Sequence, residues 1–369
     1  MKINAIKTVF AFLLCNLVLL TSCEDWTEID TKYTEDLINP AKPAEYYEQL
    51  RAYKKTDHAI TFGWIGGMTG LGASMANCFS GLPDSTDVVS LWSGLRTEAF
   101  LEDMRYCQQV KGIRFLKCMF SKSCPDKYGW TYMNPKEGDP VMEKAITDWV
   151  RDLIAEIEEM GYDGLDIDHE PTVGGAEAKG NLGSSKVAMT FFIKELGKYI
   201  GPMSGSDKLL TINGEVNNAN ICEVGKYFSY LVSQSYGTGG PSTLQDSKFK
   251  WVLKNFTENA TEENRLTPEE VAHKFITCEN FEDYALTGGV EYTDENGNTM
   301  PSLIGMASWN PIVNGKVVRK GGCGAFHMEY EYAVPGYTEF YPFHRRAIQV
   351  MNPSVHENFN EIDNEKSKK

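Results

Sequence analysis

The chain has 369 residues, 42% of them hydrophobic, and a formal net charge of −15. That length and apolar content support a sizeable core and exclude wholesale disorder, and a single barrel of alternating strands and helices reaches this size. The acidic balance excludes a nucleic-acid binder, which needs clustered Lys and Arg, and points to a neutral substrate whose polarity lies in hydroxyls and amides.

Residues 1–22 read as an export signal rather than as part of a fold. Lys2 and Lys7 flank the start of an apolar run over 9–20 that is too short for a stable membrane span. Leu20-Thr21-Ser22-Cys23 resembles a bacterial lipobox, in which Cys23 is lipidated and becomes the mature N-terminus. Glu24 and Asp25 resemble the acidic export signal of surface lipoproteins in Bacteroides-type bacteria. The expectation is a lipid anchor in the outer membrane of a Gram-negative cell, facing outward. Residues 23–57 are polar, contain two prolines and read as a tether leading into a short helix.

From residue 58, short β-rich runs alternate with longer helical stretches. Strands are expected over 59–65, 87–92, 113–120, 161–170, 208–214, 228–236, 274–281 and 323–332. Near-continuous apolar strands separated by helical segments imply parallel pairing under a helical layer. Before the fourth strand, Trp149, Val150, Leu153, Ile154 and Ile157 recur at helical spacing. They predict a helix over 147–160, capped by Thr147 and ended by Gly161. Eight such units give a (β/α)8 TIM barrel over 58–354, with functional residues at the C-terminal ends of the strands. Neither GxGxxG nor a P-loop supports the competing open, doubly wound sheet. Residues 355–369 are charged, lack apolar periodicity and read as a disordered tail.

The fourth strand carries the chemistry. "DGLDIDHE" places four carboxylates in eight positions, Asp163 to Glu170. Alternation puts Asp166, Asp168 and Glu170 on one face and Leu165, Ile167 and His169 on the other. The apolar set meets the helices, so the acids enter the barrel mouth. Crowded there, at least one of them keeps a proton near neutral pH, the condition for a general acid. The competing assignment is a set of acids that ligates Mg²⁺ or Ca²⁺ or pairs with Arg. CxxC and HExxH patterns are absent, and Cys118, Cys278 and Cys323 read as small core residues. No cofactor or metal is expected.

Asp163-Gly164-Leu165-Asp166-Ile167-Asp168-His169-Glu170 resembles the DGxDxDxE signature of glycoside hydrolase family 18 without a mismatch, and it falls on the fourth strand as in that family. With the strand count, the resemblance covers roughly residues 59–343. It implies substrate-assisted hydrolysis, an exception to the two-carboxylate scheme. Glu170 would protonate the glycosidic oxygen, Asp168 would hold the 2-acetamido group, and Asp166 would tune Asp168 through a shared proton. Gln234 and Tyr236 in "VSQSYG" replace the Met-x-Tyr-Asp usual in the family's chitinases. They resemble the pair in its endo-β-N-acetylglucosaminidases, where the Tyr contacts the acetamido group. The implied activity is endo-cleavage between N-acetylglucosamine units by a monomer; the alternatives are a chitinase and a non-catalytic glycan-binding lipoprotein.

Two departures from the family pattern stand out. The third strand lacks a small-Gly-Gly stretch, and the eighth lacks the Trp that floors the sugar site. Tyr330, Phe326 or Trp309 would substitute for that Trp; Asp163 and Gln234 complete the expected sugar contacts. Trp64 and Trp92 read as core, and His169 as an outward-facing, satisfied histidine. His327 with Glu329 lines the mouth or simply ends a strand.

Overall fold

The computed structural model describes residues 42–173 and 180–353. Cys23, the signal, most of the tether and the tail after 353 lie outside them. Eight strands pair in parallel, each with its sequence neighbours: β1 (Ile60–Ile65), β2 (Val88–Leu91), β3 (Arg114–Phe120), β4 (Gly164–His169), β5 (Leu209–Gly214), β6 (Tyr230–Gln234), β7 (Phe275–Asn280) and β8 (Gly322–Phe326). β8 closes on β1, with Trp64 beside Phe326 in register. This is the (β/α)8 barrel the alternation predicts. Every expected strand is present, most of them shorter than the apolar runs.

Around the barrel lie α1 (Ala44–Tyr53), α2 (Glu98–Tyr106), α3 (Pro140–Met160), α4 (Lys186–Leu196), α5 (Lys250–Thr257), α6 (Pro268–Lys274), α7 (Phe281–Tyr284), α8 (Ser302–Ser308) and α9 (Pro342–Met351). After β1 only 3₁₀ turns follow, and after β5 a kinked 3₁₀ segment, Ala219–Tyr227, takes the helix position. α3 starts seven residues before the expected Thr147, because Asp139 accepts from the Val141 and Met142 amides and Pro140 presets the first turn. Its end is as expected: Gly161 is left-handed (φ 72°).

Two apolar layers result. Outward-facing strand residues such as Leu165, Ile167 and Ile212 pack with Trp149, Phe192 and Ile193 of the helices. Inward-facing Phe62, Trp64, Val88, Leu116, Val232, Ile276 and Cys278 fill the barrel. α1 lies across the N-terminal end of the barrel: Arg51 donates to the Val110 carbonyl at 2.7 Å and Lys54 to that of Thr86. α9 returns to the same end, where the Asn352 side chain bonds both the N–H and the C=O of Ala59.

The turn into β4 leaves no room for a side chain. Gly164 has φ 147°, and a Cβ there would stand 1.9 Å from the Leu209 carbonyl oxygen. Gly164→Ala should therefore cost at least about 1–3 kcal/mol, the range for backbone strain. The denaturant midpoint of that variant should fall while the slope stays constant; an unchanged midpoint would show that β4 and β5 are less closely fitted than described.

Candidate active site

β4 presents its acids as alternation requires. His169 faces outward, fully buried, with Nδ1 2.8 Å from Ser121 Oγ, and burial pushes its imidazole down to about 4. It is a neutral structural group. Asp166 points into the barrel and is completely buried. Its Oδ2 accepts from Trp64 Nε1 (2.8 Å), Ser90 Oγ (2.7 Å) and Asn213 Nδ2 (3.0 Å), and its Oδ1 from Thr211 Oγ1 (2.6 Å). Burial raises the Asp166 pKa, and the four donors pull it back only in part. With both oxygens taken by neutral protein donors, Asp166 is arranged as a hydrogen-bond hub and not as a metal ligand.

One layer toward the mouth, Asp168 shares a hydrogen bond with Glu170. Burial first, then the neighbouring charges of Glu170 and Asp166, push the Asp168 carboxyl up to about 8. Its Oδ1 is buried with no hydrogen-bond partner among the described residues. Glu170 Oε1 accepts from Gln234 Nε2 at 2.8 Å, and the same amide nitrogen lies 3.2 Å from Asn213 Oδ1. The Asp168 carboxyl therefore keeps its proton at neutral pH, beside a Glu170 side chain oriented by Gln234 and above the buried Asp166.

Two cavities meet at this pair. One, of about 350 Å³, is walled by Trp64, Trp92, Tyr236 and Phe326, with Asn213 and Gln234 at its polar edge. Phe326 is the centre of the aromatic set: its ring centroid is 6.4 Å from Tyr236 (stacked, 29°) and 5.7 Å from Trp92. Burial holds the Tyr236 phenol well above its ordinary pKa, so it is protonated. The other cavity, of about 290 Å³, lies beyond Phe120 and is bordered by Ser121, Lys122, Pro171 and Val173. Asp168, Glu170 and Phe120 border both. A chain crossing from one to the other would pass its connecting bond beside Glu170.

Several expected site residues lie elsewhere. Asp163 sits at the opposite, N-terminal end of β4, where it accepts from Phe115 N and Gln108 Nε2, both at 2.8 Å, and staples β3 to β4. Trp309 is buried between Phe249 and Phe275 in the outer layer, facing away from the barrel interior. Tyr330 is half exposed, stacks on His327 and does not line the pocket, because β8 stops at Phe326. Phe326 itself stands where the strand enters the pocket. Trp64 is buried in the barrel core as expected and also reaches the pocket, as does Cys118, whereas Trp92, expected in the core, is 42% exposed and walls the pocket. Ser90, Thr211 and Asn213 were missed; their signal is a polar residue at an inward position of an otherwise apolar strand.

Glu170, Asp168, Asp166, Tyr236 and Gln234 are therefore brought together, while Asp163, Tyr330 and Trp309 are not. The family model described as "Glycoside hydrolase family 18, BT1044-like" matches residues 24–350. Among solved structures, a selenomethionine Glu-to-Gln variant of BT1044 is 26% identical, with a TM-score of 0.65 over 85% of this chain and 94% of that one. An endo-β-N-acetylglucosaminidase from Cordyceps militaris is 20% identical (TM-score 0.58, 85% and 97% covered) and shares the fold. A doubly substituted form of that enzyme was solved with fucosyl-N-acetylglucosamine-Asn (TM-score 0.59, 20% identical, the same coverage). Comparison with curated protein sequences gave no match.

The crowding of Asp168 has a thermodynamic signature. A carboxyl whose pKa is raised on folding binds its proton more tightly in the native state, so stability falls as pH rises from the ordinary carboxylate value toward about 8. Asp168→Asn removes that loss. The variant should be more stable than the parent at pH 8, by at least about 1 kcal/mol given ~1.4 kcal/mol per pKa unit, with the advantage shrinking toward pH 4. Parallel pH–stability curves from urea unfolding would contradict the raised pKa.

Proposed function

Because this chain belongs to glycoside hydrolase family 18, we propose that it is an endo-acting glycosidase that cleaves the β-1,4 linkage between two N-acetylglucosamine units with retention. The observation that carries this reading is the buried Oδ1 of Asp168, without a partner among the described residues, beside the Glu170 carboxyl held by Gln234. Asp168 and Glu170 leave one strand two residues apart and share a face, so they do not flank a bond as acid and back-side nucleophile do. The attacking atom must then belong to the substrate.

In the proposed reaction the sugar being cleaved occupies the aromatic pocket. Glu170 gives its proton to the glycosidic oxygen as the bond to the anomeric carbon breaks. The acetamido carbonyl oxygen attacks that carbon from the other face, while Asp168 Oδ1 accepts from the acetamido N–H and draws charge from the forming oxazoline. Tyr236 borders the same space and supports the acetamido group. Glu170, now ionised, takes a proton from water, which opens the ring and restores the original configuration. Proximity supplies much of the rate, since the nucleophile is tethered to its target. The Gln234–Tyr236 pair favours the endo-β-N-acetylglucosaminidase reading over chitinase, because no carboxylate follows the tyrosine.

Glu170→Gln keeps the shape and removes the acid, so turnover should fall by about 10² to 10⁴ while glycan binding survives. A thiazoline mimic of the cyclised intermediate should inhibit competitively, and substrates bearing a 2-hydroxyl in place of the acetamide should be inert. Parental turnover by that variant, or a glycosyl ester trapped on Asp or Glu, would refute the mechanism.

Surface anchoring through Cys23 belongs to the same proposal, on the strength of the lipobox-like Leu20-Thr21-Ser22-Cys23. Cys23→Ala should move the protein from the membrane to the soluble fraction. Unchanged membrane association, with no lipid on the parent by mass spectrometry, would dispose of the anchor.

A further inference from the structure

Immediately after β8 the backbone does something costly. His327 adopts φ 54° and ψ 46°, a left-handed conformation that non-glycine residues seldom hold unless their surroundings enforce it. The conformation ends the strand and lays the imidazole against the rim of the aromatic pocket. Its ring centroid lies 5.0 Å from that of Trp92, edge to face, and 4.3 Å from that of Phe326, with Tyr330 stacked on it at 4.2 Å. Nδ1 is hydrogen-bonded to Glu329 Oε1 at 2.8 Å. The same carboxylate oxygen accepts from Gly66 N at 3.2 Å, in the loop after β1.

Gly66 is the second support of the same indole. A Cβ added there would meet Cε2 and Cζ2 of Trp92 at 2.8 Å, so the indole rests directly on this backbone. Glu329 therefore fixes both surfaces that Trp92 leans on, one from β8 and one from β1. It does so with Oε2 buried and without a partner among the described residues, and burial raises its carboxyl pKa. The turn carrying it is pinned from behind: Glu331 accepts from the Phe343 and His344 amides that open α9 and bonds the His344 ring. Trp92 is 42% exposed and lies just past the end of β2, outside the strand's pairing.

We propose that His327 and Glu329 are positioning residues that prop the indole of Trp92 against Phe326, so that the two rings form one wall of the sugar pocket. The proposal rests on the glycosidase reading for the nature of the ligand, but its geometry does not. Trp92 touches the sugar face and not the reacting atoms. Loss of the prop should therefore weaken binding and leave the chemical step alone; an aromatic contact of this kind is worth roughly a factor of two to ten.

The test uses four variants of the full chain. His327→Asn tolerates the left-handed backbone but removes the ring. Glu329→Ala removes the support, whereas Glu329→Gln keeps an oxygen acceptor at the same length. Gly66→Ala pushes the indole from the other side. In ligand-free protein, Trp92 emission is isolated by subtracting the spectrum of the same variant carrying Trp92→Phe. It should shift to the red and become more open to acrylamide quenching in His327→Asn, Glu329→Ala and Gly66→Ala, with Glu329→Gln close to the parent. On a reporter glycan with an internal β-1,4 bond between two N-acetylglucosamine units, those three should show KM raised about two- to tenfold with kcat within about twofold. Parental Trp92 emission in all three would overturn the proposal, as would an emission shift with unchanged KM. If His327→Asn fails to fold, Gly66→Ala carries the same readouts from a different strand. A parent that cleaves no such glycan would sink the glycosidase reading alone, and the fluorescence arm would still decide whether Trp92 is propped.

Discussion

A single carboxylate in the middle of the barrel sets the terms for the rest of the site. Asp166 is sealed from water, where an unpaired charge would be prohibitively unstable, and it is tolerated because β1, β2 and β5 each send donors to it. Hydrogen bonds to a charged acceptor contribute about 1.5–3 kcal/mol apiece, enough together to offset much of the desolvation cost. Removing any donor leaves the others holding an under-solvated charge, so the four must be kept as a set. This is why a serine, a threonine and an asparagine interrupt strands that are otherwise apolar.

From that centre the site is ordered by depth. Asp163 staples the bottom of β4, Asp166 is the buried hydrogen-bond hub at its middle, Asp168 is the crowded carboxyl above, and Glu170 sits at the open end. Four chemically identical groups acquire four roles because each lies in a different dielectric and beside different donors. Rising from Asp166 to Glu170, hydrogen bonding by the protein gives way to atoms left for a ligand.

Much of this order was legible in the sequence, and the failures have physical causes. Parallel strands under a helical layer write themselves as apolar runs, so the barrel and its strand count could be read, and period-two alternation sorted the acids of β4 correctly. Boundaries were poorer where a side chain overrode the local pattern: Asp139 with Pro140 began α3 a turn and a half or more early, and the left-handed His327 cut β8 short. Tyr330 was misjudged for the same reason, since a strand that ends early points nothing beyond its end into the pocket, and Trp309 because it ends α8 and packs against Phe249 and Phe275 in the outer layer. Asp163 was swept along by its neighbours in the motif, although the six residues of β4 separate it from the mouth of the barrel. Trp64 is the core residue it was read as, but Trp92 was placed there too, because an aromatic residue at a strand end looks the same in sequence whether its ring meets protein or open space.

The position of α1 carries a consequence for access. Arg51 and Lys54 bind it to carbonyls that precede β3 and β2, and Asn352 ties the end of α9 to the start of β1, so the last turn of α1 and the end of α9 both sit at the base of the barrel. The pocket opens at the other end, a full strand length away. A ligand that enters along the barrel axis therefore reaches the pocket without meeting the end on which α1 and α9 are tied.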